Sequence, residues 1–252
     1  VKASTESHAD VGDKANDAIR INGAELRAKS VGEGGNLGFT QLGRIEYAIS
    51  GADGEGGRIN TDAIDNSAGV DTSDHEVNIK ILADGIVREG DLTEKQRNEL
   101  LAAMTDEVGR LVLANNYGQN VALASGVYQA ANLAHVHRGY VSKLEAEGKL
   151  NRALEFLPSD RQFAERIQAG RGLTSPEMSV LLAYTKNLMY VELLDTPLPD
   201  DPYLRNALHA YFPTDLHNRY PERIDEHPLR REIVTTRVVN DLVNVAGTTF
   251  AY

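Results

Sequence analysis

The chain has 252 residues, 41% apolar and 25% charged, which is enough for one large or two small folded domains with a sizeable core. Its net charge of −11 argues against nucleic acid, whose phosphates such a surface would repel, and against anionic membranes. No run approaches the ~20 apolar residues that span a bilayer, no apolar signal core follows Val1, and the lack of cysteine excludes disulfides and thiolate zinc sites, so a cytoplasmic protein is expected.

Residues 1–90 read as alternating strand and helix. Residues 18–21 and 28–31 are short strand candidates, each closed by an asparagine or glycine breaker. Thr40 opens a helix with apolar spacing at Leu42, Ile45, Tyr47, Ala48 and Ile49. Residues 51–57, rich in glycine, read as a flexible surface loop. Residues 58–65 follow as a strand and residues 71–84 as a helix. Strand, helix, strand, helix predicts α/β architecture, half of a doubly wound parallel sheet.

From Leu92 onward the pattern becomes long helices. Thr93 with Gln96, Ser159 with Gln162 and Thr174 with Glu177 each fit a capping box, in which a hydroxyl and an acid or amide three residues later satisfy orphan amides. Leu100, Leu101, Met104, Val108, Leu111 and Val112 recur at helical spacing, as do Met178, Leu181, Leu182, Thr185 and Leu188. A last helix is expected over residues 229–246, with Pro228 at its start and Gly247 past its end. Residues 195–202 form a stiff proline-rich break. The expected division is therefore an α/β part over residues 1–90 and a helical domain over residues 91–252. The start on valine and the apolar, aromatic end at Tyr252 read as cuts in a longer chain.

Two segments carry candidate chemistry. In Gly32-Glu33-Gly34-Gly35-Asn36, glycines at the end of a presumed strand let backbone approach a ligand closely, although a tight turn would use the same residues. The segment lacks the Gly-x-Gly-x-x-Gly pyrophosphate fingerprint, because its sixth position is Leu37. In Asn66-Ser67-Ala68-Gly69-Val70-Asp71-Thr72-Ser73, the Asn66 amide offers both a donor and an acceptor, as a ligand carboxamide or a turn would need. Ser73, seven residues on, is either a donor to an anion at a helix start or simply a cap. The other polar clusters are weaker. Asp74, His75 and Glu76 are consecutive and point in different directions on a helix, so no metal site is expected. His135 and His137 share no helical face, His209, His217 and His227 read as surface or packing residues, and Arg230-Arg231 reads as a solvated charged face.

These two segments and their spacing resemble the second half of the cofactor domain of glutamate dehydrogenases, and the flanking text resembles the very large bacterial NAD-linked members. Leu173-Thr174-Ser175-Pro176-Glu177 and His227-Pro228-Leu229-Arg230-Arg231-Glu232 support the same resemblance. It implies NAD-dependent oxidative deamination of L-glutamate to 2-oxoglutarate and ammonia by a homo-oligomer. By the same resemblance Gly34, Gly35 and Asn36 would lie beside the nicotinamide ribose, Asn66 would pair with the carboxamide, and Ser73 would bind the side-chain carboxylate of glutamate. The family's catalytic lysine and aspartate lie upstream, so no catalytic residue is expected here. Ala68 stands where the family usually has glycine, which loosens the transfer of detailed geometry. Two alternatives remain: another amino-acid dehydrogenase with the same half-sheet, and a helical part that serves only in assembly or regulation.

Overall fold

The computed structural model describes residues 1–35 and 37–252, and among these there is no strand. The expected α/β fold, a partial Rossmann-like doubly wound half-sheet, is overturned. In its place stand two isolated parallel bridges, Lys2 with Asn22 and Ser30 with Arg58. The first is closed by Lys2 N–H to Ile21 O at 3.1 Å and Gly23 N–H to Lys2 O at 2.8 Å. The second is closed by Val31 N–H to Arg58 O and Arg58 N–H to Lys29 O, both at 2.9 Å.

A ladder needs consecutive extended residues on both sides, and neither bridge has them. Lys14–Ile19 tightens into a 3-10 helix that leaves Ile19 exposed, and Gly23–Glu25 forms another. Past Arg58 the ladder partner is taken by a side chain: Asp65 Oδ2 accepts the Glu33 N–H at 3.3 Å, and Asp62–Asp65 closes a single helical turn.

The helices largely follow their start signals. Thr40 caps Gln41–Ser50 by accepting the Gly43 amide at 2.9 Å. Complete capping boxes precede Glu94–Ala103, from Thr93 and Gln96, and Asp160–Gln168, from Ser159 and Gln162. Ahead of Ser175–Leu194 the Glu177 carboxylate accepts both the N–H and the hydroxyl of Thr174 at 2.8 Å. The apolar stripe after Thr93 is interrupted at Met104, beyond which Thr105–Gln129 begins a second helix. Ser67–Arg88 starts four residues ahead of the expected position, and Ala134–Ala146 carries no capping box to announce it. Arg230–Ala246 ends at Gly247, whose φ of 89° is left-handed, as a helix stop requires.

The chain divides into two compact units. The first comprises Val1–Asn66, Gln119–Thr185 and Ala246–Tyr252. One of its apolar clusters joins Phe39, Tyr47 and Ile59, with Val1, Leu26, Val31 and Ala48 against it. Tyr47 is completely buried and its hydroxyl donates to Ala28 O at 2.7 Å. A Cβ on Gly51 or Gly57 would lie 2.2 or 2.0 Å from its ring. Gly51 and Gly57 therefore serve close packing on Tyr47 at the two ends of that loop. Leu123, Tyr140, Phe163, Met178, Leu181 and Leu182 are buried in the same unit, and Thr185 Oγ1 ties helix Ser175–Leu194 to Thr248 O at 2.7 Å.

The second unit comprises Ser67–Gly118 and Lys186–Val245. Its core gathers Ile79, Leu82 and Ile86 with Leu100, Met104, Phe212, Leu216, Ile224, Ile233 and Val234. Burial of such side chains contributes about 1.5–3 kcal/mol each. Arg231 is not simply solvated, as the sequence suggested. Its Nη2 reaches Leu194 O at 2.8 Å and Thr196 O at 2.9 Å, and Nη1 meets Asp200, so it satisfies open carbonyls at a helix end and pins the proline-rich connector.

Candidate functional site

In the first unit the glycine-rich segment meets Asn66, the first residue of the second candidate segment. Gly35, with a left-handed φ of 85°, passes so close to Asn66 that a Cβ on it would lie 3.2 Å from Asn66 Nδ2. Gly34 and Gly35 are exposed, and open space surrounds the position of a Gly34 Cβ. Asn66 closes the turn Asp62–Asp65 with its N–H on Asp62 O at 2.9 Å, so the turn role is real and leaves the side-chain amide beside Gly35. Asn36, the third member of the glycine-rich segment named above, lies outside the described residues.

A buried acid holds the segment from below. Glu33 Oε2 meets Arg44 Nε at 2.5 Å, with both side chains buried, and Glu33 Oε1 accepts the Phe39 amide at 3.1 Å. The acids of the turn grip the same backbone. Asp62 Oδ1 accepts the Gly35 N–H at 2.5 Å, and Asp65 Oδ2 accepts the Glu33 N–H at 3.3 Å. Burial raises the Asp65 pKa above the usual carboxylate range, against the opposing effect of the Asn60 amide. Asn60 in turn donates to Asn120 Oδ1 at 2.9 Å and accepts from Ser175 Oγ at 2.7 Å. A cleft of about 770 Å³ opens beside this network, walled by Ser30, Gly32, Asn60, Asp65, Asn120 and Ser175 among others. It falls within the usual range for small-molecule pockets.

Ser73 belongs to the second unit. Because helix Ser67–Arg88 begins at Ser67, Ser73 lies beyond the first turn and is exposed. It is neither a cap nor beside the free amides of the helix start, and only its outward-facing hydroxyl is available for recognition. On the same helix His75 is buried, its Nδ1 on Asp71 O at 2.9 Å and Asp71 Oδ1 at 3.1 Å, its ring stacked on Tyr211 at 4.0 Å, while Asp74 and Glu76 point outward. Among the described residues no three metal-binding side chains converge. His209 Nε2 meets Asp225 at 2.8 Å, and His227 lies between Asn78 O and the Leu229 N–H, so both are buried packing residues.

A second polar cavity of about 360 Å³ lies within the second unit, lined by Asp71, His75, Asn115, Arg237, Asn240 and Asp241 among others. Several polar groups in and beside it pair with one another. Asn115 donates to Asp71 at 3.0 Å, Arg237 to Asp241 at 2.9 Å, and Lys186 to Asn240 at 2.8 Å. Burial pushes the Lys186 pKa down to about 8.

Sequence reasoning singled out Gly34, Gly35 and Asn66 but missed Asp62, Asp65 and the Glu33–Arg44 pair that hold them. The acidic spacing of Asp62 and Asp65 before Asn66 was the one available signal, and it reads equally well as turn chemistry.

A glycine-bearing backbone set against an asparagine amide beside a cleft is an arrangement suited to orienting a planar ligand, and comparison with known families assigns the chain. Residues 1–126 match the family model described as bacterial NAD-glutamate dehydrogenase, catalytic domain, and residues 170–252 match that of glutamate dehydrogenase, C-terminal. The chain belongs to the bacterial NAD-glutamate dehydrogenase family. It is 54% identical over 250 residues, 99% of its length, to the NAD-specific glutamate dehydrogenase of Pseudomonas aeruginosa. Identity is 52% to the proteins of the same name from Mycobacterium tuberculosis, over 100% of this chain, and Halomonas elongata, over 99%. In each case the chain spans only 15% of the relative's length. Among the described residues no helix is long and apolar enough to cross a membrane.

Proposed function

We propose that this chain is the part of an NAD-dependent glutamate dehydrogenase that orients the cofactor and selects the substrate. The reaction is oxidative deamination of L-glutamate to 2-oxoglutarate and ammonia, in a cytoplasmic homo-oligomer. Residues 1–90 contribute to the NAD-binding catalytic domain and residues 91–252 form the helical C-terminal domain. This is a division of roles, and each compact unit draws on both stretches.

The observation that carries this reading is the approach of Gly35 to Asn66. Exposed glycine backbone and a side-chain amide with a donor and an acceptor suit the flat carboxamide-bearing half of a dinucleotide. When bound, NAD supplies the hydride acceptor. Gly34 and Gly35 admit the ribose at close range, with Asn36 as the third contact, and Asn66 fixes which face of the ring meets the substrate. Ser73 offers a hydroxyl to the distal carboxylate of glutamate. No residue here is assigned the proton transfers, for which the family's lysine and aspartate lie upstream.

Asn66→Ala in the full-length enzyme tests the reading. Loss of a positioned amide should lower kcat/KM for NAD by about tenfold, the equivalent of ~1.4 kcal/mol within the range for one lost hydrogen bond, with thermal stability little changed. Unchanged kinetics would return Asn66 to a turn residue.

A further inference from the structure

The geometry points to Asp62 as a positioning residue that locks the glycine-rich segment onto Asn66, with Asp65 as its second anchor; this rests on the reading of Gly35 and Asn66 as cofactor contacts. Asp62 bonds both Gly35 and Asn66 directly. Its side-chain Oδ1 takes the Gly35 amide at 2.5 Å and its main-chain carbonyl takes the Asn66 amide at 2.9 Å. Three residues on, Asp65 takes the Glu33 amide at 3.3 Å, so two acids on one helical turn hold alternate amides of the glycine-rich segment.

Such a clamp is needed because glycine confers no conformational preference of its own. Gly35 stands at a φ of 85°, and both it and Gly34 are exposed, so packing does not fix them. A carboxylate accepting a backbone amide makes a charge-assisted bond, stronger than a neutral one. Asp65 is itself fixed by Asn60, which Asn120 and Ser175 hold in place, so the clamp has a rigid base. The outer surface of the glycines stays free for a ligand. Asp62 touches neither cofactor nor substrate in this scheme; it sets the distance between Gly35 and the Asn66 amide, and an error of about 1 Å in such a placement can cost on the order of a hundredfold in rate.

The test uses the full-length enzyme with Asp62→Ala, Asp62→Asn, Asn66→Ala and the Asp62→Ala/Asn66→Ala double variant. Asp62→Ala should lower kcat/KM for NAD at least about tenfold and leave the KM for glutamate unchanged. The isotope effect on kcat with glutamate deuterated at the α-carbon should rise, because misplacement slows hydride transfer itself. Asp62→Asn keeps an acceptor of the same size and should lose only about threefold, since a neutral bond replaces a charge-assisted one. The double variant should be little worse than Asn66→Ala alone, as residues acting through one placement are not additive. Asp62→Ala that lowers only the melting temperature, or effects that multiply in the double variant, overturn the inference. If Asp62→Ala does not fold, Asp62→Asn decides by itself, and unchanged kcat/KM for NAD in that variant counts against the clamp. A harmful Asn66→Ala beside a silent Asp62→Ala sinks the clamp alone, whereas silence in both sinks the cofactor reading beneath it.

Discussion

Arg166 grips Glu177 at two points, Nη1 to Oε2 at 2.8 Å and Nη2 to Oε1 at 2.9 Å, and the glutamate side chain is only 1% exposed against 20% for the arginine. The same carboxylate holds Thr174 at the start of its helix, so charge pairing and capping converge on one buried group. The two partners are therefore unequal. Arg166→Met strands a carboxylate that water cannot reach and should cost about 3–5 kcal/mol, the usual penalty for breaking a buried pair. Glu177→Gln leaves an arginine that can still turn to solvent and keeps a side-chain acceptor for Thr174, so about 1–3 kcal/mol is expected. Urea denaturation of both variants checks the order, and a larger loss for Glu177→Gln would reverse the assignment of which group depends on the other.

The acid half of the expected box at Thr174, Glu177 accepting the Thr174 N–H, was legible because capping is local: hydroxyl, acid and first apolar turn lie within a few residues. The same holds for Thr40, Thr93, Ser159 and the Pro228 to Gly247 helix. The strands were misread because strand formation is not local. Residues 28–31 and 58–65 do pair, in the parallel sense expected, but only at Ser30 and Arg58, and nothing within either segment says where a ladder stops. Helix Ser67–Arg88 begins four residues ahead of the expected start because Ala68-Gly69 resembles a loop, although neither residue disrupts the helix. In the candidate site, Gly35 and Asn66 were visible through their chemistry. Asp62 and Glu33 were not, since their partners are distant in sequence: Asp62 reaches back 27 residues to Gly35, and Glu33 forward 11 to Arg44.

His137 should make the chain acid-sensitive. It is 2% exposed, its Nδ1 is buried with no hydrogen-bond partner, and burial, with a smaller contribution from His135, pushes its pKa from 6.5 down to about 4. Between those values the unfolded chain binds a proton that the folded chain refuses. The contribution is thus complete above pH 6.5 and is lost as pH falls toward 4, by on the order of 2–3 kcal/mol. His137→Phe, compared with the parent by urea midpoints from pH 7 to 4.5, should show a shallower decline. Parallel declines would mean that other groups carry the acid sensitivity.

Ser73 offers the sharpest test of substrate identity, because the hydroxyl proposed to meet the distal carboxylate is exposed and lies beyond the first turn of its helix. Its position removes capping as a reason for serine there, so its replacement should leave the helix intact. A bond from a hydroxyl to a charged acceptor is typically worth about 1.5–3 kcal/mol. Ser73→Val would remove that donor and place apolar surface against the carboxylate. In the full-length enzyme, kcat/KM for glutamate should therefore fall roughly tenfold or more, at about 1.4 kcal/mol per decade. Leucine and phenylalanine carry no distal charge, so their kcat/KM should fall less or rise. Equal losses for all three amino acids, or a change in thermal stability alone, would mean that the preference for glutamate is set by residues other than Ser73.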